Sequence, residues 1–166
     1  MSLELSWLER VKEVFSESIK NISDPYGLIT IEVVPKEIPR ILNFLRNDEH
    51  MGFKYLTDIC GIHYPENKNE ELGAIYHLHN LATNTRIRIK TFVSTDYPHI
   101  SSAVPIYPGA NWMERETYDF YGIIFDGHPD LRRILNMDDM VAFPLRKEFP
   151  LEDPNRKDKQ DEFFGR

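Results

Sequence analysis

Apolar side chains recur every three or four positions from Leu3 through Trp7, Leu8, Val11, Val14 and Phe15 to Ile19, which predicts an amphipathic helix over residues 3–20. Asp24-Pro25-Tyr26-Gly27 is a turn signal, and Leu28 to Val34 is rich in β-branched residues and predicts a strand closed by Pro35. Helical spacing returns over residues 37–47 at Ile38, Ile41, Leu42 and Leu45, with Pro39 near the start, where proline is tolerated. Phe53 to Cys60 predicts another strand, and the polar run 63–72 an exposed loop. The clearest signal is a hairpin, with Ala74 to Leu81 and Arg86 to Val93 flanking Ala82-Thr83-Asn84-Thr85. Within it, Arg86, Arg88 and Lys90 alternate with Ile87 and Ile89, giving one basic and one apolar face. Residues 95–109 hold Pro98, Pro105 and Pro108 and predict a loop. Residues 109–122 predict a helix stopped by Gly122, Ile123 to Phe125 a short strand, and 130–140 a short helical piece.

This order predicts an α+β fold, with helices on one face of a mostly antiparallel or mixed sheet. The pattern fails after residue 141. Residues 142–166 hold Pro144, Pro150 and Pro154, balanced charges and scattered Phe and Leu, so two units are expected: a globular domain over 1–141 and an extended partner-binding tail over 142–166.

Composition narrows the function. The 166 residues carry a net charge of −7, which excludes a broadly basic nucleic-acid surface. One cysteine excludes a thiolate zinc site and a cysteine-held iron–sulfur cluster. No run of apolar residues is long enough to span a bilayer, and the acidic start lacks the features of a secretory signal. Neither G-x-G-x-x-G nor G-x-x-x-x-G-K-[ST] occurs, so no nucleotide or flavin cradle is expected.

Two chemical constellations compete with an interface. Cys60, His63, His77 and His79 offer four nitrogen or sulfur ligands to a metal. Glu116, Asp119 and His128 offer acid–base groups. An interface fits residues 114–135 better. Arg115 precedes Asp119 by one helical turn and is expected to pair with it, Arg132 and Arg133 offer guanidinium forks to a neighbour, and aromatics crowd the segment.

The run Glu114-Arg115-Glu116, Asp119 between aromatics, His128 and Arg132-Arg133-Ile134-Leu135 resembles the signature of the 30 kDa subunit family, the C subunit of the proton-translocating NADH:quinone oxidoreductase (NADH dehydrogenase, respiratory complex I). Phe143 to Leu151 resembles that family's proline-flanked basic segment, so the likeness covers most of residues 53–151. The resemblance implies a non-catalytic member of the hydrophilic arm, peripheral to the cytoplasmic side of the membrane. Its partners would be the complex's D subunit and the adjoining quinone-reducing module. FMN, iron–sulfur clusters and quinone would belong to other subunits, with no catalytic, cofactor or metal residue here. Related hydrogenase-type or other donor-linked complexes carry similar subunits. On the resemblance, Glu114, Arg115, Glu116, Asp119, Tyr121, Gly122, Gly127, His128, Arg132, Arg133, Arg146 and Lys147 organise contacts. Arg132 is expected to belong to a buried charged pair whose loss impairs assembly.

Overall fold

The computed structural model describes residues 3–149. In chain order the elements are α1 (Leu3–Phe15), β1 (Ile19–Ser23), β2 (Thr30–Val33), α2 (Ile38–Asn47), β3 (Tyr55–His63), β4 (Leu72–Asn80), β5 (Thr85–Val93), β6 (His99–Ser101), α3 (Ala110–Tyr121) and β7 (Ile124–Asp126). Five strands form a mixed sheet in the order β1-β2-β5-β4-β3, in which only β2 and β5 run parallel. β6 and β7 make a separate parallel pair.

Register explains the layering. Ile59, Tyr76 and Ile89 are cross-strand neighbours, as are Ala74 with Thr91 and Ile31 with Ile89, so these residues share one face. That face packs in one hydrophobic cluster with Trp7, Val11 and Phe15 of α1 and with Ile38, Ile41, Leu42 and Leu45 of α2. Tyr107 ties the loop before α3 to the same layer, its hydroxyl donating to the Phe53 carbonyl at 2.6 Å. The other face presents Asp58, Cys60, His77, Arg86, Arg88 and Lys90. This is the expected α+β arrangement.

Three local expectations are corrected. The first helix ends at Phe15, and Ile19–Ser23 is an edge strand. Ile19 lies at helical spacing from Phe15, but a register shift between Ile19 and Asn21 lets Ile19 and Ile22, three apart, both pack against the core from a strand. The expected loop 95–109 contains β6, a three-residue strand paired with β7. Residues 130–140 form turns and bends and no helix, because the N–H groups of 134–136 bond to a side chain of α3.

Two glycines set how α3 is seated. A Cβ on Gly61 would collide with the Tyr121 ring, so the bare backbone of β3 makes room for the end of the helix. Gly122 ends α3 in the left-handed region (φ 75°), its N–H bonded to the Tyr118 carbonyl. A Cβ there would meet Phe143 at 2.5 Å and Arg146 at 2.7 Å. Residues 143–149 thus run back against the helix, with Leu145 N–H donating to the Phe120 carbonyl. The remainder of the expected tail, 150–166, lies outside the described residues.

Gly27 provides a control. Its φ is also positive (77°), but among the described residues nothing lies within 4 Å of a built Cβ. Gly27→Ala should cost about 1 kcal/mol of backbone strain. Gly122→Ala adds a steric clash and should cost about 2–4 kcal/mol. Urea denaturation of both variants checks this, and equal losses would contradict the packing of Phe143 on α3.

Candidate functional site

Helix α3 carries three ionisable side chains into the interior, Glu114, Arg115 and Asp119, while Trp112 and Glu116 stay exposed. Asp119 is fully buried. Its Oδ2 accepts the N–H groups of Ile134 at 3.1 Å, Leu135 at 2.8 Å and Asn136 at 2.9 Å. Its Oδ1 pairs with the Arg133 guanidinium at 2.7 Å. Arg133 also donates to the carbonyls of Asp119, Met140 and Ala142 and lies over the Phe143 ring. Burial alone would raise the Asp119 carboxyl. The opposing bonds from Asn136, Arg133, Leu135 and Ile134 are stronger together and hold it well below the usual carboxylate range.

Neighbouring groups extend this arrangement. Arg115 donates to the carbonyls of Arg132 (3.1 Å) and Arg133 (2.9 Å) and stacks over Trp112. The expected Arg115–Asp119 pair does not form, because both side chains reach across to the same loop from different sides and each finds backbone partners there. Arg146 donates to the Tyr121 carbonyl at 2.7 Å and lies over Phe143. His128 donates from Nε2 to the Asn111 carbonyl and accepts the Asp130 N–H at Nδ1, which fixes the Nε2–H tautomer. Lys147 donates its backbone N–H to Nδ1 of the buried His63 at 2.9 Å.

Arg132 is corrected too. Its side chain is 70% exposed and pairs at 2.9 Å with the exposed Asp130, so the buried pair belongs to Arg133. Gly127 has φ 82°, with nothing within 4 Å of a built Cβ among the described residues, and turns the chain after β7. The acid–base trio is not assembled. Glu116 is exposed, Asp119 is fully occupied by donors, and both nitrogens of His128 are engaged.

The metal constellation comes together differently from expectation. His63 lies on the helix-covered face and His79 bonds Asn84, so neither joins Cys60. Cys60 and His77 instead meet Asp58 on the open face, with ligand atoms within 4.8 Å of one another. Arg88 donates its Nε–H to His77 Nε2 at 3.1 Å, which leaves the ring proton on Nδ1. Burial, with Asp58 beside it, pushes the Cys60 thiol up, and burial, with Arg88 beside it, pushes His77 down. The thiol is neutral, the imidazole has its bare nitrogen taken by Arg88 and its protonated Nδ1 without a partner among the described residues, and Arg88 and Lys90 add positive charge, so the trio offers an ion little.

What the arrangement does is give one shape to a segment with no regular structure. Among the described residues the loop's outward side carries Leu135, Met137 and Val141, all at least 65% exposed, and Trp112 stands beside it. The fourteen-residue separation of Asp119 from Arg133 gives no periodic signal, so only the signature itself marked these residues.

Asp119→Asn should leave the Arg133 charge buried and unpaired and cost about 3–5 kcal/mol, whereas Arg132→Ala should cost under about 1 kcal/mol. The stability that Asp119 supplies is present above the ordinary aspartate value and is lost as the pH falls below it. Thermal melts between about pH 2 and 7 should therefore show a flatter acid limb in Asp119→Asn than in the wild type.

The chain's relatives agree on its family. The family model described as respiratory-chain NADH dehydrogenase, 30 Kd subunit, matches residues 31–155. A protein from Nocardioides sp. named as the C subunit of NADH-quinone oxidoreductase is 46% identical over 125 residues, which is 75% of this chain and 50% of that protein. One of the same name from Rhizobium rhizogenes is 44% identical over 138 residues, 83% of this chain and 68% of the other. The chain thus spans about half to two thirds of the length of these relatives. A solved trypsin-resistant fragment (1–134) of Nqo5 is 29% identical with a TM-score of 0.63, covering 75% of this chain and 98% of the fragment. A chain of an archaeal membrane-bound sulfane sulfur reductase shares the fold at 23% identity, with a TM-score of 0.70 over 88% of this chain and 86% of that one. With the signature residues gathered around α3 and the family match spanning most of its length, this chain belongs to the 30 kDa subunit family of the respiratory-chain NADH dehydrogenase.

Proposed function

We propose that this chain is a non-catalytic positioning subunit of the hydrophilic arm of a proton-translocating NADH:quinone oxidoreductase. One observation carries the reading. The buried charges of Asp119 and Arg133 are spent on shaping an irregular loop that presents apolar side chains outward. Large apolar groups held in a defined coil suit a surface that a neighbour covers. Family membership and the names of the relatives support reading the neighbours as other subunits of such a complex.

On this reading the D subunit and the adjoining quinone-reducing module lie against the loop. Flavin, iron–sulfur clusters and quinone stay in other subunits, and this chain adds geometry. Electron transfer depends on such positioning, and small displacements are costly. The protein would sit at the cytoplasmic side of the membrane through its partners, which agrees with the finding that among the described residues no helix is long and apolar enough to cross it.

Two experiments test this. Tagged chain purified from membranes should bring down the D subunit in equal amount, and deleting its gene should abolish membrane NADH:quinone activity. Full activity in the deletion strain would refute the proposal. Leu135→Glu or Val141→Glu should leave the melting point of the isolated chain within about 2 °C of wild type, because both sites are exposed. Each should nevertheless lower the recovered complex several-fold, and normal recovery of both variants would show that the loop is not the docking surface.

A further inference from the structure

Glu114 faces the opposite way from Asp119. Its side chain is fully enclosed. Oε2 accepts the Ser102 hydroxyl at 2.7 Å and Oε1 the Ala103 N–H at 2.6 Å. Among the described residues no lysine, arginine or histidine pairs with it, and its neighbour Arg115 reaches the carbonyls of Arg132 and Arg133. Ser102 Oγ also accepts the Val104 N–H at 3.1 Å, and Ser102 N–H donates to the Asp126 carbonyl of β7 at 2.8 Å. From the sheet, Tyr76 of β4 turns a buried hydroxyl into this interior and finds no partner among the described residues.

We propose that Glu114 and Ser102 form a proton-operated seat, closed when Glu114 carries a proton, that fixes residues 102–104 on α3 and loosens on ionisation. The contrast with Asp119 supplies the physics. Asp119 has four donors, one of them a cation, and stays ionised. Glu114 has two neutral donors, too few to offset the loss of water around a full charge. Taking one proton from solvent removes that charge and creates an O–H donor, which Ser102 Oγ is placed to accept. Burial accordingly raises the Glu114 carboxyl to about 7, against weaker opposing bonds from Ser102 and Ala103. Among the described residues the titratable group facing it from the sheet is Tyr76, whose phenol is itself pushed well above its ordinary value by burial and then by the Glu114 charge. Loop 102–104 contributes no titratable side chain, and from α3 Arg115 points away.

The direction of the effect is fixed. Folding raises this acid's pKa, so its contribution to stability is complete below the ordinary glutamate value and is lost as the pH rises through about 7. The device needs no partner and stands apart from the proposed function.

Glu114→Gln tests it on the full chain, because a carboxamide can accept the Ala103 N–H on its oxygen and donate from its NH2 to Ser102 Oγ, as the protonated acid would, without a proton to lose. Between about pH 5 and pH 8 the wild-type melting point should fall by on the order of 5 °C relative to the variant. Over the same range, hydrogen-exchange protection of the Ala103 amide should drop roughly tenfold in the wild type alone. Carboxyl-carbon NMR of labelled glutamate needs no variant and should show one side chain titrating near neutrality. Parallel melting profiles, pH-independent Ala103 protection, or a Glu114 signal that titrates in the usual carboxylate range would each overturn the proposal.

Discussion

Residues 130–142 contain no helix or strand, yet their polar backbone must still find partners. The Asp119 carboxylate meets that constraint. It takes three successive N–H groups of the loop on one oxygen and the Arg133 guanidinium on the other. Arg133 then turns to the carbonyls at the far end of the same loop, Met140 and Ala142. A helix or hairpin would satisfy these groups by its own ladder. Here three side chains, Asp119, Arg133 and Arg115, do much of that work, and the loop's path is set largely by where α3 places one carboxylate.

That placement depends in turn on the sheet. Tyr121 fits over the bare Gly61 of β3, and Gly122 ends the helix where Phe143 passes. Arg146 and Leu145 bond the freed carbonyls of the last turn, so the returning chain also caps the helix. On its other side α3 is tied to the 102–104 loop through Glu114. The helix therefore relates two irregular segments to one rigid sheet, by close packing on the sheet and by directional hydrogen bonds to each segment.

The large elements were legible because they obey a period. The 72–93 hairpin and the helices from Ile38 and Ala110 follow patterns of two or near 3.6, and the structure differs at their ends by a residue or two. Strand β1 was hidden because Ile19 and Ile22 have helical spacing, and only the bulge reconciles it with a strand. The site was legible as a signature and illegible as geometry. The i,i+4 rule paired Arg115 with Asp119, but local spacing says nothing of a loop fourteen residues on that offers better partners. Arg132 and Arg133 look alike in sequence. The turn that precedes them sends one side chain to solvent and the other inward.

Buried ion pairs are poor stabilisers when compared with well-packed hydrocarbon of the same volume, so stability alone does not explain Asp119 and Arg133. Directionality does. A leucine in place of Asp119 could fill space, but it would leave three N–H groups unpaired and the loop free to collapse onto whatever apolar surface it found. The loop cannot bury Leu135, Met137 and Val141 against its own domain while its backbone is held at Asp119. The charges thus keep apolar side chains outward that hydrophobic collapse would otherwise draw in. The proposed positioning role needs that property more than it needs extra stability, and on that reading it accounts for placing a full charge at one of the least exposed positions of α3.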